Sequence, residues 1–461
     1  MLLHGRIVPS ILMLSLPTML MGLIQSMLPV IDGLFINNLI GTDAASAVTF
    51  CTPILMMMTA LAQGLGVAGM AMIGQLSGQG QHGQARYVST QIFVATFFIG
   101  CLFVPFLALL AFPISSHVNA EISSNVFLYM LLSAFVQPFS FLEFVYNAIK
   151  NARGEPEAPF FRMLLMLVLK IAFNFLFIFL LPWGIVGAVA ASFASNLLIS
   201  LWMFRELFVA PSPDRLQLRG FRFDREVLRE MFHLGIPSSI STAMLSLGFF
   251  LINTEVEKYG PVVLNAQGIA GNITSICFTL PSSFGTSVTT MVSMNVGAGN
   301  GARARKACLV GCAVSAVSAA LLIALVVPLS SYLTILFTRQ QDVLQVADRA
   351  LHIYTYSVIG FGICMVELGA FIGLGRTTVP LFVNLLRIWA LRYVFILATE
   401  RFLGVYSVFW GNLFSNYMAA AITTVLLIRI PWVSVIHPSK VSPPDTHGRG
   451  GQFKQCDDRC S

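Results

Sequence analysis

Three polar side chains sit in stretches that otherwise hold almost only apolar residues: Asp32, Lys170 and Asn174. Asp32 follows Pro29 by three residues in Leu28-Pro-Val-Ile-Asp-Gly33. A proline inside a helix removes a backbone hydrogen bond and loosens the turn around it. A carboxylate among apolar neighbours is costly, and burial favours its protonated form, so it can exchange a proton as its surroundings open and close. Lys170 lies near the middle of a second apolar stretch, and Asn174 lies one helical turn further on the same face. If that face meets Asp32, the ammonium holds the carboxylate ionised while they touch, and protonation breaks the pair. The simpler readings are a permanent ion pair or helix-end carboxylate for Asp32, and snorkelling to an interface for Lys170, which its central depth opposes.

The elements that position these groups follow from composition. Of 461 residues, 56% are hydrophobic and 10% charged, against about 25% charged in a soluble domain. The apolar runs are continuous and do not alternate, which excludes a transmembrane barrel and gives an all-α polytopic membrane protein. Twelve segments are predicted, near 11–38, 45–75, 88–112, 124–149, 159–181, 184–208, 227–256, 264–295, 306–337, 346–373, 378–399 and 403–429. The first is too long for a signal-peptide core and is expected to be retained. Pro182 and Gly184 join the fifth and sixth as a tight hairpin. With a cytoplasmic N-terminus, twenty of the 27 basic residues fall on the cytoplasmic side, four on the other and three within spans. That distribution obeys the positive-inside rule and puts both termini in the cytoplasm, in a cell membrane. The net charge of +7 is thus a topology signal, and no nucleic-acid motif accompanies it.

The longest internal polar stretch, 210–225, separates a lobe at 1–209 from a lobe at 226–430, and the Pro- and Gly-punctuated tail at 431–461 reads as disordered. The lobes are copies. Leu14-Ser-Leu-Pro17, Gly78-Gln-Gly80 and Ala85-Arg86 return as Leu234-Gly-Ile-Pro237, Gly297-Ala-Gly299 and Ala304-Arg305, at an offset of 219 or 220. Gly154 and Pro159 return at Gly375 and Pro380, and Ser195-Asn196 at Ser415-Asn416. Six spans per copy make the repeats parallel, around a central cleft that rocking can open to either side. A static receptor or scaffold leaves the repeat and the intramembrane charges unexplained.

At Pro17, Pro29-Val-Ile-Asp32-Gly33, Gly66, Gly78-Gln-Gly80, Ala85-Arg86, Ala152-Arg-Gly154 and Gly187-Ala-Val-Ala-Ala-Ser192 the chain resembles the MATE (multidrug and toxic compound extrusion) family over about residues 8–430. It looks most like the DinF-type branch, because the early Asp32 is present and the glutamate another branch carries near Leu245 is missing. The resemblance implies secondary active efflux of amphipathic or cationic small molecules, driven by inward proton or sodium flow, with Asp32 as the coupling carboxylate. That pattern usually has Asn and Asp where Lys170 and Asn174 stand, and Thr at Ser192. A sodium site wants several oxygen ligands and negative charge, so one carboxylate beside an ammonium favours a proton.

Gln25, Met27, Gln63, Asn147, Asn253 and Glu367 are candidates to line the cleft, and the 20 methionines and 38 phenylalanines suit adaptable apolar contact. Glu143 is placed to pair with a basic residue near the cytoplasmic end, Glu367 to meet either a cationic substrate or Arg387, and Arg387 and Arg392 to anchor the eleventh span. No catalytic constellation, resident cofactor or metal site is expected, and Cys456, Cys460, His437 and His447 are poorly spaced for zinc. The sequence thus reads as a monomeric proton-coupled exporter in the bilayer, with a sodium-coupled exporter as one alternative. A lipid-linked saccharide flippase is another, for which neither extra spans nor a strongly cationic cleft is evident.

Overall fold

The computed structural model describes residues 3–116, 120–211, 215–259, 261–335 and 340–432. The predicted tail therefore lies almost wholly outside the described residues. Within them, fourteen α-helices make twelve rods. The first lobe contains α1 (Ile7–Phe35), α2 (Thr42–Gly78), α3 (His82–Ser116), α4 (Ala120–Ala134), α5 (Gln137–Ala152), α6 (Glu157–Asn174) and α7 (Gly184–Phe204). The second contains α8 (Arg225–Glu257), α9 (Pro261–Gly297), α10 (Gly301–Ile335), α11 (Gln341–Gly373), α12 (Thr378–Leu385), α13 (Val394–Leu403) and α14 (Tyr406–Arg429). π-helical turns continue α1 (Ile36–Ile40), α6 (Phe175–Leu180) and α7 (Arg205–Val209), and another (Leu386–Tyr393) joins α12 to α13 in one rod.

Local sequence sets these boundaries. α4 and α5 form one rod bent by 49°, and Pro138 lies in the first turn of α5, where a missing N–H costs nothing. Asp224 caps α8, its carboxylate accepting from the backbone N–H of Glu226 at 2.8 Å. The hairpin between α6 and α7 turns at Gly184, whose φ of +60° suits a residue without a Cβ. Its counterpart Gly404 has a φ of +54°, and the pairs Gly80/Gly299 and Gly154/Gly375 repeat the same conformation. The repeat read from the sequence is therefore a repeat of backbone shape.

Nine helices, or ten with the bent pair, are long and apolar enough among the described residues to cross a membrane. The two rods outside that count are α8, which begins Arg225-Glu226, and α9, with its Ser/Thr-rich run from Ser282 to Ser293. Both pack against the first lobe's α2, and α9 also packs along α11. Lipid-facing stripes lie on helices such as α3 and α10, where the repeat partners Leu102 and Leu321 are 70% and 68% exposed.

The lobes meet through a close helix crossing on the face that carries the chain's first helix end. A Cβ on Gly78 of α2 would overlap the Met294 carbonyl group, and one on Gly297 of α9 would overlap that of Gln75. These two contacts are images of each other at an offset of 219 residues. Around them, Gln75 Nε2 donates to the Gly373 carbonyl at 2.8 Å and Thr290 Oγ1 to the Asn151 carbonyl at 3.0 Å. At this crossing the lobes close tightly against each other.

Candidate functional site

Asp32, Lys170, Asn174 and Ser192 come from three helices and meet at one point. α1 supplies Asp32 just after Pro29 and before the π-helical turn at Ile36–Ile40, so the carboxylate sits between two irregularities of the rod. α6 supplies Lys170 and Asn174 one turn apart, and α7, folded back through the Gly184 hairpin, supplies Ser192. Lys170 Nζ lies 3.0 Å from Asp32 Oδ2, and Asn174 Nδ2 donates to Asp32 Oδ1 at 2.8 Å. Lys170 also donates to the Ser192 hydroxyl, which donates in turn to the Ala188 carbonyl at 3.0 Å. Both carboxylate oxygens are thus engaged by α6.

Burial within the cluster is uneven. The Lys170 side chain is 8% exposed and the Asp32 side chain 30%. Asp32 opens onto a cavity of about 560 Å³ walled by Leu28, Thr52, Met56, Thr59 and Tyr129. A proton can therefore reach the carboxylate from the cavity, while the ammonium stays sealed behind it. This arrangement can hold α1 to α6 through an ion pair and a charge-assisted hydrogen bond, and one protonation event removes the ion pair.

The other predicted residues do not gather there. Gln25 and Met27 are exposed on α1, while Gln63 on α2 and Asn147 on α5 are half-buried. None of the four lines the cavity at Asp32 or the larger one in the second lobe. The Asn253 side chain lies outside the described residues. Glu367 is buried on α11 and accepts hydrogen bonds from Thr423 and Thr424 of α14, which ties two helices together and keeps it from Arg387. Glu143 pairs with fully buried Arg162 at 2.6 Å, and Lys150 bridges Glu155 at 3.0 Å and Glu206 at 2.7 Å.

Arg387 and Arg392, read as anchors of the eleventh span, bond neighbouring helices, at Asn416 of α14 and Tyr354 of α11. They also line a cavity of about 770 Å³ in the second lobe. That half of the cleft carries cationic groups after all. The only sequence signal was their spacing of five, which suits a π-helical turn and not an α-helical face.

The MatE family model matches residues 17–176 and 237–397, two blocks whose starts are 220 residues apart. The probable multidrug resistance protein YoeA of Bacillus subtilis (strain 168) is 25% identical over 430 residues, covering 89% of this chain and 90% of that one. YpnP of the same organism, also a probable multidrug resistance protein, is 26% identical over 417 residues, covering 87% and 90%. The multidrug export protein MepA of Staphylococcus aureus (strain MSSA476) is 22% identical over 358 residues, covering 76% and 78%. Among solved structures, an outward-facing multidrug resistance MATE family transporter of the MOP superfamily aligns with a TM-score of 0.86 at 23% identity, covering 92% of this chain and 96% of that one. A MATE structure in the straight conformation aligns with a TM-score of 0.87 at 23% identity and the same coverage.

Proposed function

The chain belongs to the MatE family, and from that premise we propose that it is a proton-coupled multidrug exporter working by alternating access, with Asp32 as the proton acceptor. Relatives named for multidrug resistance and multidrug export support the efflux of small amphipathic or cationic compounds. The observation that carries the proton is the double engagement of Asp32 by Lys170 and Asn174 at the edge of a cavity. A hard cation would need several free oxygen ligands, and here the carboxylate oxygens already face an ammonium and an amide.

The cycle follows from the geometry. With the carboxylate ionised, α1 is held against α6 and the first-lobe cavity is open. Protonation cancels the ion pair, and Lys170 keeps its bond to Ser192. α1 is then free to bend where Pro29 and the π-helical turn have loosened it. Leu28, Pro29, Gly33 and Ile36 wall the cavity, so movement of α1 narrows it and drives bound substrate out. Rocking of the lobes about the α2–α9 crossing then returns the site to the cytoplasm, the side that carries both termini in this reading.

The test is uptake of a fluorescent organic cation into everted vesicles, under an imposed pH gradient and separately under an imposed sodium gradient. Uptake under the pH gradient alone, lost in a folded Asp32→Asn protein, is the expected result. A fully active Asp32→Asn protein, or movement under sodium alone, overturns the proton reading, and no movement under either gradient overturns export.

A further inference from the structure

The second-lobe cavity holds two buried cations with no anion beside them. Arg387 and Arg392 are 5% and 4% exposed, and none of the described residues lining the cavity is acidic. Their hydrogen-bond partners are neutral: Arg387 Nη1 donates to Asn416 Oδ1 at 3.1 Å, and Arg392 Nη2 to the Tyr354 hydroxyl at 3.4 Å. Three acids on neighbouring helices are engaged elsewhere. Glu255 accepts from Tyr393 and Lys258, Glu400 from Tyr259, and Glu367 from Thr423 and Thr424. A guanidinium has five N–H donors, and the Nε of each arginine is buried without a protein acceptor. Buried charges are ordinarily paired, so two uncompensated ones on one cavity wall call for an external partner.

Backbone geometry brings them together. In an α-helix, residues five apart point about 140° away from each other. The stretch Leu386–Tyr393 is π-helical, with ladder bonds that span five residues, so Arg387 and Arg392 stack on nearly the same side. Aromatic faces position both. Arg387 Cζ lies 5.4 Å from the Phe361 ring centre and Arg392 Cζ 5.8 Å from that of Phe249. Stacking occupies the planar face of a guanidinium and leaves its in-plane donors free for a carboxylate or phosphate. The rest of the wall is apolar where Phe278 meets Phe361, with centroids 4.3 Å apart, and a volume of about 770 Å³ accommodates a drug-sized body.

We propose that this cavity binds an amphipathic organic anion. A single carboxylate, sulfonate or phosphate head is held by Arg387 and Arg392, and its apolar body lies along Phe249, Phe278 and Phe361. The site goes beyond the proton-coupled reading, because occupancy requires neither Asp32 nor a gradient.

Equilibrium binding of 1-pyrenebutyrate and its neutral analogue 1-pyrenebutanol, followed by fluorescence anisotropy, tests this on the full chain in phosphatidylcholine nanodiscs. The acid is expected to bind about tenfold more tightly than the alcohol, as a charge-assisted bond predicts. That preference disappears in Arg387→Gln and Arg392→Gln, persists in part in Arg387→Lys, and is unchanged in Asp32→Asn. Alcohol binding in each variant reports that the cavity is intact. Nanodiscs containing phosphatidylglycerol separate the sources of the anion: loss of the acid preference only there assigns the seat to a lipid headgroup, and its persistence assigns it to free amphiphiles. Equal binding of acid and alcohol by the parent protein in phosphatidylcholine overturns the proposal, as does a full acid preference in both glutamine variants. The first comparison needs no substitution and holds even if a variant fails to fold.

Discussion

The α2–α9 crossing makes a prediction about conformation that depends only on sterics. A Cβ added at Gly78 would lie 2.7 Å from the Met294 carbonyl carbon, and one at Gly297 would lie 2.8 Å from the Gln75 carbonyl carbon. The carbonyl oxygens lie nearer still, and non-bonded heavy atoms rest at about 3.5 Å, so either alanine must push the helices apart by more than about 1 Å. The obstacle in each case is backbone, which cannot step aside as a side chain can. Overpacking of this kind costs about 1–3 kcal/mol, and in the proposed rocking cycle, where the lobes part at this crossing, the cost falls on the sealed state. At about 1.4 kcal/mol per factor of ten, each substitution should shift the ratio of sealed to open molecules by roughly five- to 150-fold. Spin labels at His82→Cys and Ala302→Cys, both exposed beside the crossing, would read this shift by pulsed EPR. Gly78→Ala and Gly297→Ala should add a longer-distance population at the crossing. Gly83→Ala should add none, since a Cβ there meets nothing within 4 Å. A folded Gly78→Ala protein with the parent's distance distribution would refute the reasoning.

Other perturbations separate structural charge from coupling charge. Asp32→Asn leaves the Lys170 ammonium without its carboxylate, and since Asp32 is partly solvated the destabilisation should be about 1–3 kcal/mol, below the range for a fully buried pair. Asp32→Asn with Lys170→Gln should regain thermal stability without regaining transport, and a scanning-fluorimetry midpoint below that of the single variant contradicts the pairing. Glu143→Gln strips the charge partner from fully buried Arg162 and should cost about 3–5 kcal/mol, visible as lost folded yield. Thr423→Val with Thr424→Val removes the donors to Glu367 and should lower stability by about 1–3 kcal/mol. PH-driven uptake per folded molecule should stay at the parent level in that variant, and its loss would give Glu367 a part in coupling.

What the sequence disclosed depended on how many explanations a residue allows. A carboxylate or ammonium inside an apolar run has few, and so Asp32 and Lys170 could be named before any coordinates, with one helical turn adding Asn174 on the same face and the family resemblance adding Ser192. Polar uncharged residues allow many explanations. Gln25 is exposed and outside the lining of both cavities; the rotation of α1 is set by its packing on α6 and α9, which its own periodicity does not encode. The partners of Glu367 lie 56 and 57 residues downstream, a pairing that only the packing of α11 on α14 creates. That Arg387 and Arg392 share one cavity wall was not legible for a local reason: their convergence requires an i→i+5 backbone, and a reading at 3.6 residues per turn sets them on different faces.

The repeat is kept in some places and abandoned in others, and the division matches mechanical need. Motion of two lobes about a pseudo-twofold axis requires equivalent contacts on both sides of the crossing. The glycines at 78 and 297 supply them, each seated on a carbonyl group of the other lobe. The left-handed turns at Gly80, Gly154 and Gly184 likewise recur at Gly299, Gly375 and Gly404, because both copies must reverse direction at the same heights. No such constraint acts on the cavities. Position 192 is Ser in one copy and its counterpart, 220 residues on, is Asn412; the first bonds Lys170 and the second bonds Ser357. Around them one lobe pairs an acid with a base, while the other sets two arginines against neutral partners. The two copies keep the crossing and differ in their charges, so the proposed rocking motion would carry two chemically distinct half-sites past the bilayer.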